Sequence, residues 1–165
     1  MRKIGIIAVL SLMVLAIAAV PALAQREKPT GNAQFQSGPT FTLNADNSVT
    51  VTGLLTGLGS DLVDVTLSVS ATADVSCTNG GRQLVEAQQD IGDVSVTQPA
   101  QQPENGRLAL NITSPAPSSL GTQNPCPNRN WTPAIIPGTV EVTSATLTLV
   151  QNGTNVAGTP IEHTF

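Results

Sequence analysis

The sequence contains few of the residue types from which most binding and catalytic sites are built. Tyrosine is absent, four residues are aromatic, two are cysteines and one is histidine. Seven lysines and arginines stand against eleven aspartates and glutamates, so the net charge is −4. Contacts with nucleic-acid phosphates need a cationic patch, which this composition does not supply. We therefore expect no nucleic-acid partner.

Strong helix formers are also scarce. Leucine, glutamate, lysine and methionine are too few for a helical bundle or a coiled coil, whereas valine, threonine and serine are abundant. A chain of 165 residues is long enough for one domain. These features favour a small all-β protein.

The first 24 residues have the layout of a secretory signal peptide. Arg2 and Lys3 precede an apolar run from Ile4 to Val20, and Pro21 then interrupts any helix. The small residues of Ala22-Leu23-Ala24 provide a site for signal peptidase. We expect cleavage between Ala24 and Gln25. The alternative is an uncleaved anchor, for which the apolar run is at the short limit of membrane-spanning length.

Cleavage would release a chain with five basic and eleven acidic residues, a net charge of −6. No cysteine follows the cleavage site directly, which disfavours a lipid anchor, and no second long apolar run occurs. We expect a secreted, extracellular or periplasmic protein with no stable membrane insertion after cleavage. Residues 25–33 are polar and are expected to form a flexible leader, and residues 34–165 to form a single β-sandwich domain.

Apolar and polar residues alternate along much of this domain, as they do in strands with one buried face. The longest such run extends from Val63 to Val75. A shorter run from Val140 changes phase near Ser144, which indicates a β-bulge. Asn105-Gly106 and Asn152-Gly153 are typical of hairpin turns.

The pattern predicts an antiparallel, immunoglobulin-like β-sandwich of seven to nine short strands, with a closed barrel as the alternative. Eight of the eleven prolines after residue 24 lie between Pro99 and Pro137, so this stretch is expected to be rich in loops. Residues Gln83–Asp90 are expected to form a helical turn.

Cys77 and Cys126 are the only cysteines, and export permits their oxidation to a disulfide. Two free thiols or half of a metal site are the alternatives. The single tryptophan, Trp131, is expected to pack in the core near the disulfide rather than to serve as an exposed platform for a sugar ring.

The segments Cys77-Thr78-Asn79-Gly80-Gly81 and Cys126-Pro127-Asn128-Arg129-Asn130-Trp131 have similar turn chemistry. In these segments the chain resembles small secreted bacterial proteins with a glycine-rich Cys-x-Asn loop and a Cys-Pro-Asn-x-x-Trp loop. The resemblance covers about Phe41 to Phe165. It implies export and a β-fold, and it implies no catalytic residues.

Residues that could carry catalysis are few. His163 is the only candidate general base and lies in an alternating terminal strand, where an outward or half-buried side chain is expected. The carboxylate pair of a glycosidase could come from Asp61 with Asp64 or from Asp90 with Asp93. The oxygen ligands of a calcium ion could come from the turn Asn44-Asp46-Asn47. In each we expect solvated carboxylates rather than a site, and hence no catalytic residue, no cofactor and no metal.

The leading hypothesis is a secreted, non-enzymatic β-sandwich that binds an extracellular or cell-envelope partner or has a surface role. The alternatives are a small secreted hydrolase or enzyme inhibitor, and a small outer-membrane β-barrel. The barrel would explain the terminal Phe165, but barrels of that kind need two girdles of aromatic residues.

Overall fold

The computed structural model describes residues 32–120 and 125–165. The predicted signal peptide, its cleavage site between Ala24 and Gln25, and most of the predicted leader lie outside these residues. None of the described residues belongs to a helix that is long and apolar enough to cross a membrane.

Nine β-strands make up the regular structure of the described residues. They are β1 (Gln34–Leu43), β2 (Val49–Thr56), β3 (Val63–Asn79), β4 (Leu84–Gln101), β5 (Leu108–Thr113), β6 (Trp131–Ile135), β7 (Glu141–Gln151), β8 (Thr154–Asn155) and β9 (Ile161–Thr164).

The strands form two antiparallel sheets, which confirms the predicted β-sandwich. The smaller sheet has the order β1-β2-β5. The larger sheet has the order β4-β3-β7-β8, with β6 paired to β3 and β9 paired to β7. Threonine and valine dominate the strands because β-branched side chains pack well on a pleated surface. Most of the buried core comes from the inward side chains of β2, β3, β5 and β7.

The longest predicted strand is confirmed, but two strands are not short. β3 has 17 residues and β4 has 18. The expected helical turn at Gln83–Asp90 is wrong, because β4 begins at Leu84 and pairs with β3 throughout this stretch. Val85 lies opposite Cys77, and Ala87 lies opposite Val75. The free edge of β3 offers a complete backbone ladder, and this outweighs the weak helical preference of Glu86, Ala87 and Gln88.

The predicted bulge in β7 is confirmed. Ser70 of β3 pairs with Ser144, and Ala71 pairs with Val142, so Thr143 is the extra residue. Val142 and Ala145 are both buried although they are three positions apart. The bulge therefore keeps both segments of β7 facing the core after the change of phase.

The buried apolar side chains form two clusters of unequal size. The larger one fills the space between the sheets and includes β3 as far as Ala73. The smaller one consists of Val75, Cys77 and Cys126, with Leu120 and Trp131 packed against it. We call the part around the smaller cluster the head, and define it as β3 and β4 between Asp74 and Gln88, together with β6 and residues 125–130.

The predicted disulfide between Cys77 and Cys126 is confirmed and holds the head together. Its Cα atoms are 5.7 Å apart, and the two cysteines are 49 positions apart in sequence. The bridge ties the loop that precedes β6 to the far end of β3. In the head, this loop covers the inner face that the three-stranded sheet covers in the rest of the sandwich.

Candidate binding surfaces

The only histidine in the described residues packs against aromatic rings. The ring centroids of His163 and Phe41 are 5.1 Å apart with an interplanar angle of 9°. Phe165 approaches His163 edge-on at 4.8 Å. Within the described part of the chain, no serine or carboxylate forms a hydrogen bond with this imidazole. The arrangement joins the edge strands β1 and β9 of the two sheets, and it does not form a nucleophile–histidine pair.

Asp61 and Asp64 form hydrogen bonds with the end of β7, the turn that follows it and the end of β4, at the end of the sandwich away from the head. Asn152 Nδ2 donates to Asp61 Oδ2 at 2.9 Å, and Gln151 Nε2 donates to the carbonyl oxygen of Asp61 at 2.7 Å. The backbone amide of Ala100 donates to Asp64 Oδ1 at 2.8 Å. The two carboxylates accept from different segments of the chain, so Asp61 holds the turn after β7 and Asp64 joins β3 to the end of β4.

Asp90 and Asp93 are both exposed on β4. Asp90 lies opposite Thr72, whereas Asp93 lies in the irregular part of the ladder between Ile91 and Val94. A change of register therefore separates the two residues.

The turn at Asn44-Asp46-Asn47 is stabilised by its own side chains. Ser48 donates to Asp46 Oδ1 through its hydroxyl at 2.7 Å and through its backbone amide at 3.0 Å. These hydrogen bonds lower the pKa of Asp46 because they favour the charged carboxylate. Asn44 Nδ2 donates to the hydroxyl groups of Ser48 and Thr50, both at 2.9 Å. In residues 32–120 and 125–165, no group of three histidine, cysteine, aspartate or glutamate side chains could hold a metal ion.

Trp131 is half-buried and packs against the cluster that contains the disulfide, as expected for a core residue. It is the first residue of β6 and lies opposite Asn79 at the end of β3. The ring therefore covers the inner face of the head close to its tip.

The tip of the head is a compact turn followed by exposed apolar residues. Asn79 Oδ1 accepts hydrogen bonds from the amides of Gly81 and Gln83, at 2.9 and 3.0 Å. Asn79 Nδ2 donates to Gln83 Oε1 at 2.7 Å. Immediately after this turn, Leu84 is 58% exposed and Val85 is 44% exposed. A rigid turn thus presents two adjacent apolar side chains, which point to opposite faces of the hairpin.

The outer face of the six-stranded sheet is polar. Thr66 of β3 and Thr97 of β4 lie opposite each other, with their hydroxyl oxygens 3.0 Å apart. Ser68 likewise lies between Ser95 of β4 and Thr146 of β7. These pairs continue the alternation in which every second residue of β3 is buried. The result is a broad face covered with hydroxyl groups.

An open cleft of about 660 Å³ lies at the start of β5, beside the Asn105-Gly106 turn. The side chains that line it are Leu54, Gln102, Glu104, Asn105, Arg107, Leu108 and Ala109. Sequence patterns did not indicate this cleft, because Leu54 of β2 meets the segment Gln102–Ala109 only in the fold. None of the candidate catalytic or metal-ligating residues from the sequence lines this cleft.

No protein-family model, no curated protein and no solved structure matches the chain. A functional assignment therefore rests on the surfaces and contacts of this chain alone.

Proposed function

We propose that the mature chain, which begins at Gln25, is a secreted, non-enzymatic β-sandwich that binds an extracellular or cell-envelope partner through the head. The observation that carries this proposal is the exposure of Leu84 and Val85 at the end of a disulfide-stapled hairpin. Fixing a side chain before binding lowers the entropic cost of association. The turn at Asn79 and the bridge at Cys77 both fix this end of the hairpin.

Export is supported by the signal-peptide pattern and by the disulfide. Disulfides persist in oxidising compartments outside the cytosol, and the Cys77–Cys126 bridge is compatible with such a location. The location itself is part of the proposal.

A role in binding is also supported by the positions of the candidate catalytic groups. His163 packs between Phe41 and Phe165, whereas Asp61 accepts a hydrogen bond from the turn after β7 and Asp64 accepts one from the end of β4. The fold brings none of these three residues to the head, where the exposed apolar side chains lie.

The test is capture of partners from the envelope and secreted proteins of the producing cells by the immobilised mature protein. Leu84→Ser is the test variant, and Leu62→Ser is its matched control. Leu62 is 49% exposed, so it resembles Leu84 in type and exposure, but it precedes β3 at the opposite end of the sandwich.

We expect the Leu84→Ser variant to bind the captured partner about tenfold more weakly, since desolvation of a leucine contributes about 1.5–3 kcal/mol. The Leu62→Ser variant should bind as the parent does. Equal capture by both variants would place the binding surface elsewhere. Hydrolysis of an ester or glycoside substrate that is lost in His163→Ala would replace binding by catalysis.

A further inference from the structure

The outer edge of β4 from Leu84 to Asp90 pairs with no other strand among the described residues. β4 is the outermost strand of the six-stranded sheet, and β6 pairs with the other side of β3. The amide of Asn79 donates to the carbonyl oxygen of Gln83 at 3.3 Å. Alternation along an antiparallel ladder then directs the backbone groups of Val85 and Ala87 toward β3. The backbone groups of the even-numbered residues from Leu84 to Asp90 point away from the sheet.

A contact further along β4 supports this assignment. The amide of Gly92, an even-numbered residue, donates outward to the carbonyl oxygen of Ser119 at 2.9 Å. Between Leu84 and Asp90, no backbone hydrogen bond on the outer side occurs within residues 32–120 and 125–165. The side chains of Leu84, Glu86, Gln88 and Asp90 are all exposed. Such an edge can pair with another extended chain.

The charges on this edge indicate what kind of chain would pair with it. Glu86 and Asp90 lie on the outer face of the hairpin, and Asp74 is opposite Gln88 on the same face. If two copies paired about Gln88, Glu86 of one copy would lie opposite Asp90 of the other, and like charges directly opposite each other destabilise a sheet. A segment with lysine or arginine at these positions would place opposite charges beside them.

The inner face of the edge is apolar. Val85 is 44% exposed and Ala87 is half-buried, and both face the same side as the buried Cys77 and Val75. In an added strand, side chains alternate between the two faces. Basic residues on the outer face would therefore alternate with apolar residues that extend the small cluster of the head.

We propose that the edge from Leu84 to Asp90 binds an extended peptide segment of alternating basic and apolar residues, which adds to the sheet as a further strand. This inference rests on the proposed binding function and names the chemistry of the partner. The backbone would supply hydrogen bonds, and Glu86 and Asp90 would select the charge of the segment.

The experiment uses the oxidised mature protein and a short synthetic peptide in which lysine and valine alternate. Gln88→Pro is the test variant, because proline removes the outward amide at position 88 without removing a bond to β3. Gln88→Ala is the matched control, which loses the same side chain and keeps the amide. Binding is measured by fluorescence anisotropy, and Trp131 emission with circular dichroism shows that each variant is folded.

We expect the parent and Gln88→Ala to bind the peptide equally. Gln88→Pro should bind it about tenfold more weakly, because the added strand loses its hydrogen bond to the amide at position 88. The double variant Glu86→Gln/Asp90→Asn should bind more weakly and with less dependence on salt. A peptide with glutamate in place of lysine should not bind the parent.

Equal binding to the proline and alanine variants would overturn strand addition. Equal binding of the lysine and glutamate peptides would overturn the selection by charge, and dimerisation without peptide binding would make a second copy the occupant. Capture of a natural partner that is lost in Leu84→Ser but kept in Gln88→Pro would leave the proposed function standing and overturn this inference.

Discussion

Two glycines at hairpin turns have the same backbone conformation and different surroundings. Gly106 and Gly153 both follow an asparagine with positive φ, and both have φ of 73°. A Cβ atom on Gly106 would lie 2.7 Å from the carbonyl oxygen of Leu58, whereas one on Gly153 would meet nothing within 4 Å. The need for glycine is therefore conformational at Gly153, and both conformational and steric at Gly106.

We predict that Gly153→Ala lowers the free energy of unfolding by about 1 kcal/mol, the cost of a left-handed conformation with a side chain. Gly106→Ala should lower it by at least about 1 kcal/mol more, because Leu58 and the turn must also move apart. Urea unfolding followed by circular dichroism gives both values. Equal losses of unfolding free energy would show that Leu58 and the turn at Gly106 can move apart without a cost in free energy.

At the scale of the elements, strands with one apolar face and one polar face were predictable from the sequence. The alternation from Val63 to Val75 lies within β3, and the change of phase near Ser144 predicted the bulge in β7. The first half of β4 was missed because Leu84, Val85 and Glu86 are all exposed, so the apolar period that identifies a strand is absent there. Its conformation is determined by pairing with β3, which no local pattern records.

The turn between β1 and β2 allows a test of one hydrogen bond. The hydroxyl and amide of Ser48 hold the pKa of Asp46 below its ordinary value. This contribution to stability is present above the ordinary pKa of an aspartate and is lost as the pH falls through the lowered value. We predict that Ser48→Ala raises the pKa of Asp46, because the hydroxyl donor is removed while the amide remains.

Nuclear magnetic resonance titration of the Asp46 carboxyl carbon measures this shift directly. Thr50→Val is the matched control, since it removes the bond from Asn44 to Thr50 and leaves both bonds to Asp46. The control should titrate as the parent does. An unchanged pKa in Ser48→Ala would assign the lowering to the amide alone.

At the scale of the whole molecule, the two-sheet fold and the disulfide were predictable, but the binding surfaces were not. Composition and alternation specify an all-β fold, and an exported chain with two cysteines specifies one bridge. The division into a larger core and a head depends on the length of the β3–β4 hairpin relative to the three-stranded sheet. The open edge at Gln88 and the cleft at Arg107 likewise arise where separate segments meet or fail to meet.

We predict that replacing Cys77 and Cys126 by serine lowers the melting temperature by roughly 8–15 °C, measured by circular dichroism. The bridge closes a loop of 49 positions. Its removal increases the entropy of the unfolded chain by an amount worth roughly 4 kcal/mol, and each kilocalorie shifts the melting temperature of such a domain by a few degrees. The β-sheet spectrum should persist at room temperature. A double variant as stable as the parent would show that the disulfide does not stabilise the folded protein.

The proposed binding requires a chain that is exported, processed and oxidised, since the head must carry its disulfide outside the cytosol. The intact mass of the protein recovered from the culture medium or the periplasm tests this claim most directly. We expect a chain that begins at Gln25 and is two hydrogen atoms lighter than its reduced form, with no thiol titratable before reduction. A chain that retains Met1 in the membrane fraction, or that carries two free thiols at Cys77 and Cys126, would contradict it.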